Sequence, residues 1–118
     1  MSMEVANTIR KQIMGLSYWA LGSWGAREYV GYPEGKYGKD GAYILGGLRF
    51  RVRTPRYPIG TIVMIYLMPD DTYTVRVCRV IGTKVTELYL SENVYFDMLV
   101  NVIDRAIENK ETAKAYVR

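Results

Sequence analysis

Arginine falls on every second position through Arg49, Arg51 and Arg53, interleaved with Leu48, Phe50 and Val52, and Arg56 follows just beyond. A two-residue alternation is the period of a β-strand, whose successive side chains point to opposite faces. Leu48, Phe50 and Val52 would then face a core, and the guanidiniums would stand in a row on the other side. A guanidinium presents its donors in a planar fork that matches phosphate oxygens. A row of them on a sheet is therefore a phosphate-binding surface; it is not a catalytic motif.

The rest of the chemistry is sparse. There is no histidine, which removes the commonest general base and metal ligand and the usual Ser–His and Cys–His arrangements. Zinc needs clustered Cys or His. The one cysteine, Cys78, lies among Val77 and Val80, where an inert core thiol is expected. A lone cysteine also excludes an internal disulfide and suits a reducing compartment. The glycine-rich stretch around Gly35, Gly38 and Gly41 lacks the Gly-Lys-Ser/Thr ending of a phosphate-cradling loop. Carboxylates are the remaining route to metal chemistry. Asp70 and Asp71 followed at a distance by Glu87 resemble part of a restriction-type nuclease core, but Leu88-Tyr89 stands where its lysine belongs. A hydrated turn is the expectation for Asp70-Asp71, with no cofactor and no enzymatic activity.

A chain of 118 residues suits one domain with a modest core. The longest apolar run, residues 62–68, is far shorter than the ~20 residues of a membrane-spanning helix, and the N-terminus lacks the pattern of a signal peptide. A cytosolic setting is the expectation. The isoelectric point is near 9.2, and the charge is unevenly spread. Residues 1–60 hold nine of the sixteen basic side chains but only four of the twelve acidic ones. Such a one-sided field points to an anionic partner.

Several elements must position these groups. Val5, Ile9, Ile13 and Leu16 fall at helical spacing, which predicts a helix over residues 4–14 ending near Gly15. Residues 16–30, aromatic and broken by Gly22 and Gly25, read as a short strand, a turn and a second short segment, with Trp19 as a core anchor. Residues 31–47 are dense in glycine, which disfavours helix and strand. There Tyr32, Lys36, Tyr37, Lys39 and Tyr43 interleave aromatic and cationic groups that can stack on bases and pair with phosphates. The alternative is a solvated hairpin or flap without a partner. Residues 61–68 are apolar on both faces, as in a central strand or one covered by a second subunit. Met68-Pro69-Asp70-Asp71 has turn composition. Residues 72–81 alternate again, with Tyr73, Val75 and Val77 on one face and Thr72, Thr74 and Arg76 on the other. Gly82 and Thr83 fit a tight hairpin into a last strand over residues 84–90. Ser91-Glu92-Asn93 offers capping groups for a long helix with an apolar stripe of Val94, Tyr95, Met98, Leu99, Val102, Ile103, Ala106 and Ile107. The tail from Lys110 is polar and expected to fray.

The fold class predicted is α+β: an N-terminal helix, an antiparallel meander of four to five strands, and a long C-terminal helix packed on one sheet face. The free face would carry Arg49, Arg51, Arg53, Thr72, Thr74 and Arg76.

Five segments also resemble a known group of sequences: Thr8-Ile9, Gly25-Ala26-Arg27, Leu48-Arg49-Phe50-Arg51, Asp70-Asp71-Thr72-Tyr73-Thr74-Val75, and Asn93-Val94-Tyr95-Phe96-Asp97-Met98-Leu99. Across residues 8–103 the chain is similar to a family of small hypothetical proteins of bacteriophages and other mobile elements. Residues 31–47 depart from that family and look like an insertion. The resemblance implies a viral or mobile-element setting. The family has no established activity, so it lends no residue a role.

These observations combine into one expectation and two alternatives. The first is a binding protein for nucleic acid, with Arg49, Arg51, Arg53, Arg56 and Arg76 on phosphates and Tyr37, Tyr43 or Tyr57 stacking or guiding the strand. The second is a protein-interaction module, an inhibitor or adaptor of a host or viral protein or a homodimer, using residues 61–68 or the aromatics near Trp24. The third is a metal-dependent nuclease using Asp70 and Glu87. No membrane partner is expected.

Overall fold

The structure, a computed structural model, describes residues 3–36, 41–54 and 60–107. Helix α1 (Met3–Leu16) turns Ala6, Ile9 and Ile13 inward, and all three are buried. It lies over the sheet so closely that a Cβ on Gly46 would stand 2.7 Å from Val5 Cβ. Residues 16–30 do not begin with the strand expected of them. A single turn of helix, α2 (Ala20–Ser23), forms instead, because Ala20, Leu21 and Trp24 bury together at helical spacing. Gly25, at φ 65°, ends it: the Ala26 N–H donates to Leu21 O and the Gly25 N–H to Gly22 O. Those are the two bonds of a glycine-terminated helix stop.

The two tryptophans exchange the roles expected of them. Trp24 is the core anchor, 1% exposed, and Trp19 is 65% exposed. The Trp24 ring stacks on Phe50 at 6.4 Å, and its indole N–H donates to Asp104 Oδ1 at 3.0 Å. Only one of two neighbouring indoles can point inward across a single helical turn, and Trp24 shares its side with Ala20.

The main sheet is antiparallel, in the order β1 (Arg27–Tyr32), β4 (Gly46–Val52), β5 (Thr61–Leu67), β6 (Tyr73–Ile81), β7 (Lys84–Val94). Between β1 and β4 the glycine-rich segment carries a small hairpin, β2 (Gly35–Lys36) with β3 (Tyr43–Ile44). Its described residues thus include a two-residue strand pairing, although the glycine density disfavours strand. β5 is central, flanked by β4 and β6, and most of its residues are buried. The β5–β6 turn is closed by Asp71 N–H to Met68 O. The β6–β7 turn uses Gly82 at φ 62°, as its composition predicts.

Two features of the C-terminal part differ from expectation. β7 runs on to Val94, through the residues read as a helix cap, because Ser91 and Val94 pair with Val75 and Tyr73. Ladder hydrogen bonds to β6 outcompete a capping role. The helix is not long: a 3-10 turn (Phe96–Met98) leads into α3 (Leu99–Ile107), nine residues. Leu99, Ile103, Ala106 and Ile107 are its buried stripe, whereas Tyr95 and Met98 are exposed. The expected fraying from Lys110 lies outside the described residues.

Leu48, Phe50, Val52, Val63, Ile65, Val75 and Val77 from the sheet join Ile9, Ile13, Trp24, Leu99 and Ile103 in one core. The helices thus cover one face of the sheet, and Arg49 and Arg51 necessarily emerge on the other.

Candidate nucleic-acid interface

Strand register arranges the helix-free face in three rows. Tyr32, Gly47, Tyr66 and Thr74 form the first; Val30, Arg49, Met64, Arg76 and Leu90 the second; Arg27, Arg51, Ile62, Cys78 and Glu87 the third. Arg53 follows Arg51 at the end of the sheet, where its N–H donates to Trp24 O at 2.9 Å. Arg49, Arg51, Arg53 and Arg76 therefore share the face that the alternation predicts. Thr74 is on it but buried. Thr72, just before β6, bonds Asp70 and lines a shallow groove together with Thr74.

The face is not a bare cationic surface. Its middle strand, β5, contributes Ile62, Met64 and Tyr66, and Ile62 and Tyr66 are buried. By register Met64 sits between Arg49 and Arg76, and Ile62 between Arg51 and Cys78. Arginine stems of this length shield apolar neighbours while keeping their charged ends in water. The Tyr32 and Tyr66 rings pack at 5.5 Å around Gly47, whose missing Cβ would lie 3.1 Å from Tyr66 Cδ1 and 3.4 Å from Tyr32 Cδ2. Burial, with the neighbouring Tyr32 adding to it, pushes the Tyr66 hydroxyl up to about 12. It stays protonated and donates to Met64 Sδ at 3.2 Å.

Three arginines are already matched by two carboxylates. Arg76 Nε donates to Glu87 Oε1 at 2.8 Å, a half-buried pair. Burial by itself pulls this guanidinium down, but the Glu87 hydrogen bond and neighbouring groups carry it above its ordinary value. Arg51 Nε donates to Glu28 Oε1 at 2.8 Å, and Arg27 Nε stands 3.8 Å from Glu28 Oε2. Glu28 reaches this face because β1 is irregular between Arg27 and Val30, with Glu28 at φ 57°. An extra residue in one strand re-aims side chains in this way. Arg49 and Arg53 pair with no carboxylate among the described residues.

At the Arg53 end the face opens into a groove of about 590 Å³. Arg27, Glu28, Arg51 and Arg53 line one side, and Val80 and Ile81 the other. Tyr43 lies beyond the opposite end of β4, exposed on β3, so the structure does not bring it to the groove. Arg56, Tyr37 and Tyr57 lie outside the described residues. Arg27, Glu28 and Tyr66 were missing from the residues the sequence nominated. No periodic signal marks the first two, since the strand irregularity breaks the alternation that would have placed them.

Among the described residues the acidic side chains do not converge. Asp70 Oδ1 accepts from the Thr72 hydroxyl at 2.6 Å and from its N–H at 3.1 Å, and these bonds hold its carboxyl below the usual range. Glu87 pairs across from Cys78, five residues along β6 from Tyr73, or roughly 17 Å at strand spacing, and is engaged by Arg76. Asp97 is exposed on the 3-10 turn. Among the described residues no three acidic or Cys side chains gather as metal ligands. Cys78 is fully buried, and burial raises its thiol. No helix among the described residues is long and apolar enough to cross a membrane. Comparisons with family models, curated proteins and solved structures give no match to the chain.

Proposed function

We propose that this chain is a non-enzymatic binding protein whose helix-free sheet face holds a nucleic-acid strand, in a viral or mobile-element setting. The observation that carries the reading is the run of Arg49, Arg51 and Arg53 along one face, joined laterally by Arg27 and Arg76. From Arg49 to Arg53 this line spans roughly 14 Å at strand spacing, enough for two or three phosphates. Binding of this kind is electrostatic and sequence-tolerant, and weakens steeply with salt.

The test is fluorescence anisotropy with labelled single- and double-stranded DNA and RNA over a salt series, without magnesium. Log affinity should fall linearly with log salt. Replacing Arg49, Arg51 and Arg53 together by glutamine should lower the slope by about 2 for a single strand, from the ~0.7 lost per phosphate contact. Unchanged affinity in a folded triple variant would reject the arginine row.

A second reading, a protein partner, is favoured by a different observation. Tyr18 and Trp19 are exposed and pack edge to face at 4.9 Å, and Tyr95, Phe96 and Met98 are exposed as well. Aromatic and Met side chains of this kind are enriched where proteins meet. The strand at residues 61–67 and Trp24 offer no such surface, being buried. A salt-insensitive complex lost in Trp19→Ala would favour this reading over the first.

A further inference from the structure

The groove at the end of the arginine row differs from the rest of the face in holding a carboxylate between two guanidiniums. Glu28 uses its two oxygens separately, Oε1 toward Arg51 at 2.8 Å and Oε2 toward Arg27 at 3.8 Å. That is how two oxygens of a phosphoryl group would be shared between a pair of arginines. The Glu28 side chain is 61% exposed, and exposed ion pairs are weak and easily exchanged. Its backbone is held at φ 57°, a conformation that a non-glycine residue adopts at a cost. Arg53 lines the same groove without a carboxylate partner among the described residues.

The charges define the ligand further. Three guanidiniums against one carboxylate leave two positive charges. A phosphomonoester carries about −1.5 to −2 at pH 7, whereas a backbone phosphodiester carries one negative charge. Across from β4, Gly60, Gly82, Val80 and Ile81, the last 58% exposed, bring uncharged surface to the same groove. It suits the sugar or base attached to the phosphate, not a second anion.

We propose that this groove is a subsite for the terminal phosphate of a nucleotide chain, and that Glu28 fills it as an internal carboxylate which the phosphate displaces. This deepens the nucleic-acid reading of the same face and rests on it for the chain-end assignment. Occupation by Glu28 weakens binding to anions that cannot engage Arg27, Arg51 and Arg53 together. The groove therefore selects strand ends over strand interiors.

The test uses the full chain with two oligonucleotides of one sequence, 5′-phosphorylated and 5′-hydroxyl, labelled at the 3′ end, with a nucleoside 5′-monophosphate and inorganic phosphate as small probes. The phosphorylated strand should bind about 5- to 10-fold more tightly, as one added charge-assisted contact allows. Glu28→Gln should tighten it by about 3-fold more, the size of one exposed ion pair, and Arg53→Gln should erase the preference. Glu28→Asn serves as a second variant, since asparagine tolerates positive φ and keeps the strand folded. If strands bind with no preference for the phosphorylated end and Glu28→Gln changes nothing, the subsite is overturned and the arginine face stands. If neither strand binds but the nucleoside monophosphate does, more tightly in Glu28→Gln, the subsite stands and the strand-binding reading falls. Inorganic phosphate binding as tightly as the nucleotide would overturn the role given to Val80 and Ile81.

Discussion

Trp24→Phe tests the core arrangement that fixes the arginine face. The substitution removes the indole N–H that donates to Asp104 Oδ1 at 3.0 Å, a hydrogen bond to a charged group worth about 1.5–3 kcal/mol. Asp104 is only half-buried and can recover water, so the lower end applies. The smaller ring also leaves a void against Phe50, which loses about one or two methylenes of burial, or ~1–1.5 kcal/mol. The expected loss is about 3 kcal/mol, a large part of the 5–15 kcal/mol typical of a domain. Urea unfolding followed by far-UV circular dichroism would measure it, with an unchanged m-value. Trp19→Phe is the control: an exposed ring with no core contact should cost under about 0.5 kcal/mol. A double-mutant cycle with Asp104→Ala should return about 1.5 kcal/mol of coupling. Equal effects of Trp24→Phe and Trp19→Phe, or no coupling to Asp104, would refute the assignment of Trp24 as the link between α2 and α3.

Two further outcomes follow from the free face itself. Tyr66 is raised to about 12 against about 10 in an unfolded chain, so its contribution is fully present below pH 10 and is lost as pH rises toward 12. Stability measured by urea unfolding should fall over that window, and less steeply in Tyr66→Phe; an identical slope would remove Tyr66 as the cause. Gly47→Ala would place a Cβ 2.6 Å from Ile65 O, forcing β4 and β5 apart at a cost of about 1–3 kcal/mol. Gly22→Ala, with nothing within 4 Å, should stay within about 0.5 kcal/mol by the same assay.

The local periodicities carried most of the architecture. Alternation in residues 48–53 and 72–81 needs no partner to be read, because a strand's side chains alternate whatever lies above them. It placed Leu48, Phe50 and Val52 inward and Arg49 and Arg51 outward, and the structure agrees. The doubly apolar β5 fitted a central strand or one covered by a second subunit, and the sheet order makes it central. Competition between local and long-range bonds was not legible. Ser91-Glu92-Asn93 has the composition of a cap, yet pairing with β6 draws it into β7. Trp19 and Trp24 are alike in type, and only the packing of α2 against Phe50 and Asp104 decides which one is buried.

The same division runs through the site. The sequence by itself determined that a cationic row exists, that it faces away from the apolar residues between its members, and that histidine chemistry is absent. Tertiary structure decided how much of that charge is free. Glu87 reaches Arg76 from the neighbouring strand, and Glu28 reaches Arg51 and Arg27 through an irregularity in β1. Tertiary structure also decided that Arg53 meets Val80 and Ile81 across a groove. Apart from the adjacent Arg27 and Glu28, those partners are 11 to 28 residues apart in the chain, and no periodicity encodes them. They are set by strand order and register, which are decided by the burial of the whole sheet against α1, α2 and α3.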